Sequence, residues 1–200
     1  MPNRKEAFKQ GQYYHIFNRG ADKQNIFANE ENYRYLLRLI NKYSKEKEIA
    51  IVCYCLMPNH YHFLVCQMGI VPVSAFISGV FSAYAQAFNK QQGRRGILFE
   101  SRFKHVPVTK QNYLVHLMRY IHLNPVTAHL VLHPEDWWFS DYRLWTRMVT
   151  DETLSINNVQ RVKAFRDELG IPEPDEYQKL VVEYQVEQAE QQKFQKYLID

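Results

Sequence analysis

Glycine is scarce in this 200-residue chain, at 7 residues, and cysteine scarcer, at 3. So little glycine argues against collagen-like and glycine-rich linker architectures. Cys53, Cys55 and Cys66 cannot build a disulfide framework, and their spacing is not that of a C-x-x-C metal knuckle. Cys53 and Cys55 stand two apart in an apolar run, so on a strand they share one face as small core residues. The N-terminal segment MPNRKEAFKQGQ is charged and lacks an apolar signal-like core. With unpaired thiols, this predicts a cytoplasmic protein. Charge is missing altogether from Cys66 to Asn89, a stretch long enough to span a bilayer. Yet Gln67, Pro72, Ser74, Ser78, Ser82 and Gln86 interrupt it, while Val73, Phe76, Ile77, Val80, Tyr84 and Phe88 form one helical stripe. The segment reads as a soluble amphipathic helix carrying a row of serines, with no membrane partner.

Hydrophobic residues at 46% beside 23% charged residues exclude wholesale disorder. The net charge of +4 conceals a division: residues 1–150 carry 19 basic and 10 acidic side chains, residues 151–200 carry 6 and 11. We therefore expect a polyanion-binding domain over 1–150 and an acidic helical tail over 151–200.

The pattern predicts strands at Gln12–Asn18, Ile49–Leu56 and Tyr61–Cys66, with short β-like pieces in Ile97–Val108. Helices are predicted over Glu30–Glu46, Val73–Lys90, Gln111–Leu123 and Tyr177–Leu198. The short Met57-Pro58-Asn59 connection makes its two strands antiparallel. This β-α-β-β-α-β order suits an α+β fold, a ferredoxin-like (split βαβ) antiparallel sheet with helices on one face and a C-terminal helical extension.

Two motifs carry chemistry. In Pro58-Asn59-His60-Tyr61-His62-Phe63, the histidines lie two apart on a strand and can converge on one metal ion, while Tyr61 points to the core. Taken alone, an H-x-H is more often two polar residues on a half-exposed strand. Sixty residues on, Tyr120 and Asn124 share a helix face, which offers a nucleophile and an amide oxygen. Here too a buried structural tyrosine is the ordinary alternative. Pro125 predicts a helix break at Asn124.

The phrases Asn18-Arg19-Gly20, CLMPNHYHFLV (55–65), GRRGILFESRFK (93–104) and YLVHLMRYIHLNPV (113–126), with Pro134, Trp138, Ser140 and Tyr142-Arg143, make the region from Tyr13 to about Trp145 resemble the REP-associated tyrosine transposases. These are single-strand transposases of the His-hydrophobic-His nuclease superfamily. The resemblance implies a divalent metal, Mg²⁺ or Mn²⁺, held by His60, His62 and Asn124, with Tyr120 as catalytic nucleophile. It implies cleavage and rejoining of single-stranded DNA beside a hairpin-forming repeat through a 5′-phosphotyrosine, by a monomer or homodimer. Imidazole ligands lean towards Mn²⁺ or another transition metal. Arg19, Arg94, Arg95, Arg102, Lys104 and Arg119 are the expected DNA contacts, with Phe99 and Phe103 as stacking faces or core residues. His116 is expected to pack. A non-cleaving DNA-binding protein on the same fold is the alternative. Two departures from the family pattern stand out: Glu100-Ser101 for Gln-Gly, and Thr127-Ala128-His129 for Arg-Ala-Gly. An acidic tail folded over the basic cleft would compete with DNA.

Overall fold

The computed structural model describes residues 8–147 and 159–197. The strands are β1 (Tyr13–Arg19), β2 (Ile49–Met57), β3 (His60–Gln67) and β4 (Lys104–Val108). The helices are α1 (Glu30–Glu46), α2 (Val73–Gln91), α3 (Gln111–Thr127), α4 (Tyr142–Trp145), α5 (Val159–Leu169) and α6 (Pro174–Tyr197). The strands form one antiparallel sheet in the order β2-β3-β1-β4, so the expected split βαβ architecture is present. Of the β-like stretch at 97–108, only β4 and an isolated Gly20–Phe99 bridge pair with other strands.

Period-two alternation sends each strand's side chains to two separate cores. Tyr14, Ile16, Tyr54, Leu56, Tyr61, Phe63 and Val65 meet α1 and α2 on one face. Cys53, Cys55, Met57, Leu64 and Cys66 face α3 to α6 on the other. A register shift between Ile51 and Cys53 puts Val52 and Cys53 in this second core together, after which alternation resumes. Helix α1 starts where a reciprocal cap forces it: Asn29 Oδ1 accepts from Asn32 N–H at 3.2 Å, and Asn32 Oδ1 accepts from Asn29 N–H at 3.3 Å. On α2, the predicted stripe from Val73 to Phe88 is buried, whereas Ser78, Ser82 and Gln86 are exposed. Among the described residues, no helix is long and apolar enough to cross a membrane.

The expected boundary near 150 falls among residues 148–158, outside those described. Past it, the tail helices dock instead of projecting. Val162, Phe165, Leu169, Tyr177, Val181 and Tyr184 enter the second core, so α5 and α6 help to cover the back of the sheet. At the centre of this packing lies a fully buried polar cluster. Asp141 Oδ1 accepts from the Tyr54 backbone N–H at 2.8 Å and lies 3.1 Å from His122 Nε2. Asp141 Oδ2 accepts from Trp145 Nε1 at 3.3 Å, and His122 Nδ1 lies 2.7 Å from the Tyr177 hydroxyl. One carboxylate thereby ties β2, α3, α4 and α6 together.

Removing it strands several buried donors at once. Asp141→Ala is expected to lower unfolding stability by about 3–5 kcal/mol, and Tyr177→Phe by about 1 kcal/mol, in urea denaturation. Equal, small losses in both variants would show that the cluster does not hold these elements together.

Candidate active site

His60 and His62 start β3 and, by alternation, point with Leu64 towards α3, while Tyr61 enters the first core as predicted. α3 crosses the sheet at the His60 end with Tyr120 and Asn124 one turn apart on the facing side. The His60 and His62 ring centroids are 5.2 Å apart, and those of His62 and Tyr120 are 5.5 Å apart. Asn124 Oδ1 is 3.5 Å from His60 Nε2. One chain thus brings together all four expected residues. His62 is buried at 6% exposure, while Tyr120 is 41% exposed and reachable from outside.

The expected helix break at Asn124 does not occur: α3 runs on to Thr127 through Pro125. Proline has no N–H for the Ile121 carbonyl, and Asn124 Nδ2 approaches that carbonyl at 3.5 Å while donating to Tyr120 O at 2.9 Å. Packing of Ile121 and Leu123 in the second core holds the helix against the sheet. The helix ends at His129, whose φ of 55° occupies the left-handed position that glycine fills in the family pattern. A side chain there costs about 1 kcal/mol.

Hydrogen bonds fix the protonation pattern around His60. Asn59 Nδ2 donates to Lys23 O at 3.2 Å, so its Oδ1 faces His60 Nδ1 at 2.6 Å and must accept the Nδ1 proton. A neutral His60 is then bare at Nε2. The Asn124 amide is oriented by its own donation to Tyr120 O, so its Oδ1 is also an acceptor. Two lone pairs face each other across 3.5 Å, a geometry that a cation between them would satisfy. Burial lowers the pKa of His60, against an opposing contribution from Asn124. Burial also pushes His62 well below the usual imidazole range, with lesser pushes from His15 and His60. Neutral imidazoles are the form that ligates metals. Among the described residues no three His, Cys, Asp or Glu side chains form a metal group. Burial raises the Tyr120 phenol pKa, partly opposed by a hydrogen bond with Asn124.

Several members of the site escape the motif reading. His15, on β1, places Nε2 3.0 Å from His62 Nδ1 and is pushed down to about 4 by burial. When His62 donates to it from Nδ1, His62 Nε2 is left bare towards the cleft. No local spacing marks His15, because it meets His62 only through the pairing of β1 with β3. Lys23 and Asn59 line the cleft too, a hollow of about 520 Å³ that also includes Arg19, Glu100, Ser101 and Lys104.

Among the expected DNA contacts, only Arg19 and Lys104 line this cleft. Arg19 is paired with Glu100, the residue that replaces glutamine, with Nη2 2.9 Å from Oε1. That exposed pair is weak enough for a phosphate to displace. Arg95 and Arg102 stand on the exposed loop beside the cleft, and Arg94 folds back with Nη2 3.4 Å from Ile97 O. Arg119 turns the other way: Nη1 donates to Leu180 O at 3.4 Å and the guanidinium lies 5.0 Å from the Tyr184 ring, because its position on α3 faces α6. His116 packs edge-on against Tyr184 at 4.9 Å, as expected. No described residue of α5 or α6 lines the cleft.

His60 and His62, on the β2–β3 hairpin, thus face the helix-borne Tyr120 on a split βαβ sheet. The family model for IS200-like transposases matches residues 8–124, a span that ends on Asn124. The chain belongs to that family of DNA transposases. Its fold is similar to that of a REP-associated tyrosine transposase solved bound to a REP hairpin, with a TM-score of 0.62 and 17% identity over 80% of this chain and 93% of that one. A Deinococcus radiodurans protein assigned as a transposase aligns with a TM-score of 0.41 and 16% identity, over 60% of this chain and 95% of that one. No curated protein sequence matches the chain.

The His60 tautomer can be measured directly. Long-range ¹H–¹⁵N correlation spectra of the metal-free protein are expected to show His60 protonated at Nδ1, and Asn59→Ala to release it to the Nε2–H form. A parent His60 protonated at Nε2 would remove the facing-acceptor geometry.

Proposed function

We propose that the protein cleaves and rejoins single-stranded DNA at hairpin-forming repeats through a phosphotyrosine formed on Tyr120. The observation that carries this reading is the convergence of Tyr120, His60, His62 and Asn124 in one chain, at the mouth of a cleft rimmed by Arg19, Lys23 and Lys104. Family membership and the shared fold with a hairpin-bound transposase support the substrate class.

In this reading the strand enters the cleft with its phosphates on the basic rim, and the Arg19–Glu100 pair opens to admit one of them. Tyr120 Oη attacks the scissile phosphorus, the P–O3′ bond breaks, and the departing 3′ oxygen takes up a proton equivalent to the one the phenol gives up. The phosphodiester count is unchanged, so a 3′-OH can reverse the step without ATP. His60, His62 and Asn124 would hold a divalent cation, Mg²⁺ or Mn²⁺, which when bound supplies polarisation of the phosphate and stabilises charge on the attacking and leaving oxygens. His15 and Asn59 orient the two imidazoles, and Asn124 acts both on the site and on the Tyr120 carbonyl. Because Tyr120 and both histidines belong to one chain, the reading needs no second protomer to complete the site.

Incubation with Mn²⁺ or Mg²⁺ and hairpin-bearing single strands is expected to give a protein–DNA adduct that resists denaturation. Tyr120→Phe should abolish it, and His60→Ala or His62→Ala should lower its yield at least about 100-fold. Tight hairpin binding with no adduct, unaltered by Tyr120→Phe, would instead identify a non-cleaving DNA-binding protein.

A further inference from the structure

The row of serines on α2 is not used by the core or by the proposed chemistry. The core face of α2 is complete without them, yet Ser78, Ser82 and Gln86 stand exposed on one side of the helix. They form one wall of a groove of about 450 Å³, and Gly96 to Phe99, Ser101 and Phe103 form the other. Asn18 and Ser101 line both this groove and the active cleft, so the two hollows adjoin at these residues. Asn18 braces the junction by donating from Nδ2 to Ser101 O at 2.9 Å.

We propose that this groove reads the bases of the single strand that crosses the active cleft, with Ser78, Ser82 and Gln86 as base-reading side chains and Phe99 and Phe103 as stacking faces. The inference rests on the single-strand reading above and assigns a specificity surface to it. Three observations carry it. First, the residues lining the groove are all uncharged, while the exposed cations Arg95 and Arg102 stand on the loop that borders it and Lys104 at the start of β4. Phosphates seek cations, whereas base edges are read by neutral donors and acceptors, so this layout seats the backbone on the rim and the bases inside. Second, α2 has no acidic residue along its length to repel a strand. Third, the groove presents ring surface beside hydrogen-bonding groups: Phe99 meets Phe81 edge-on at 5.4 Å, and Phe103 packs at the edge of the first core. Both are held by the core yet line the groove, which makes them firm platforms for stacking. From Ser78 to Gln86 the helix wall runs about 12 Å, long enough to follow a strand past a single base.

The test uses the full chain carrying Tyr120→Phe, so that binding is read without cleavage. The probe is a fluorescein-labelled single-stranded pool in which a fixed hairpin is followed by eight randomised positions, and the bound fraction is sequenced. The parent is expected to enrich particular bases at successive positions. The triple variant Ser78→Ala, Ser82→Ala, Gln86→Ala is expected to lose that enrichment by about tenfold, with an unchanged salt dependence of affinity. The variant Arg102→Gln, Lys104→Gln is expected to do the reverse, weakening all sequences alike and lowering the salt slope by about 0.7 per charge. All three serine and glutamine positions are exposed, and an unchanged thermal melt checks that the fold is intact. An intact enrichment in the triple variant, or a parent that binds the pool without enrichment, overturns the groove assignment and leaves the single-strand reading standing. A parent that does not retain the pool overturns both.

Discussion

Burial of both faces of a four-stranded sheet is the constraint on which the rest of this structure depends. Alternating side chains along β2 and β3 must be apolar on both sides, and so two cores form. The first is closed by α1 and α2 and the second by α3 to α6. The second cover gives out at the start of β3, where His60 and His62 replace apolar residues on the α3-facing side. The site therefore occupies the rim of the second core, where α3 passes over the last turn of cover and Tyr120 emerges from it. Asp141 holds this arrangement from behind, since its carboxylate joins the strand under α3, the His122 ring on α3 and the neighbouring helices. Position of Tyr120 and stability of the domain are in this way properties of the same packing.

Electrostatics at the rim follow from that burial. Rings held away from water stay neutral, and neutral imidazoles need a partner on each nitrogen. Asn59 and His15 supply partners on the inner nitrogens, which leaves the outward nitrogen of His60 facing the Asn124 oxygen with no proton between them. Such a frustrated pair is costly in an empty protein and favourable around a cation. The exposed Arg19–Glu100 pair is of another kind: mutual screening keeps the cleft mouth from being purely basic until phosphate competes. Glu100 stands where the family pattern has glutamine, and it gives the cleft mouth this feature.

Most of the fold was legible from local pattern. Helix α1 begins and ends at the predicted residues because the Tyr33, Leu36, Leu37, Ile40 stripe marks its length, and the structure shows its start closed by the Asn29–Asn32 cap. The continuous apolar run of β2 and the helical stripe of α2 were equally readable. What failed were inferences from one residue to its neighbour. Pro125 does not end α3, because Asn124 partly serves the carbonyl that proline leaves unpaired and core packing holds the turn. Arg119, adjacent to Tyr120, points at α6 because consecutive helix positions lie about 100° apart. A docked and a projecting tail helix were equally readable, and where the tail docks was not, since Val162, Phe165 and Tyr177 are sparse apolar residues in a polar background and only the back of the sheet gives them a destination.

The two opposite charge balances along the chain are composition, and the alternation of the strands and the pairing of His60 with His62 and of Tyr120 with Asn124 rest on spacings of two or four residues along one element, so all are properties of the sequence itself. The meeting of those two pairs, separated by about sixty residues, was decided by tertiary structure, as was the recruitment of His15, Asn59 and Lys23. Strand pairing and helix docking set these distances, and no periodicity within one element encodes them. The same holds for the groove beside α2: its serines are visible as a row in the sequence, but only the fold lays Phe99 and Phe103 opposite them and sets the groove next to the cleft.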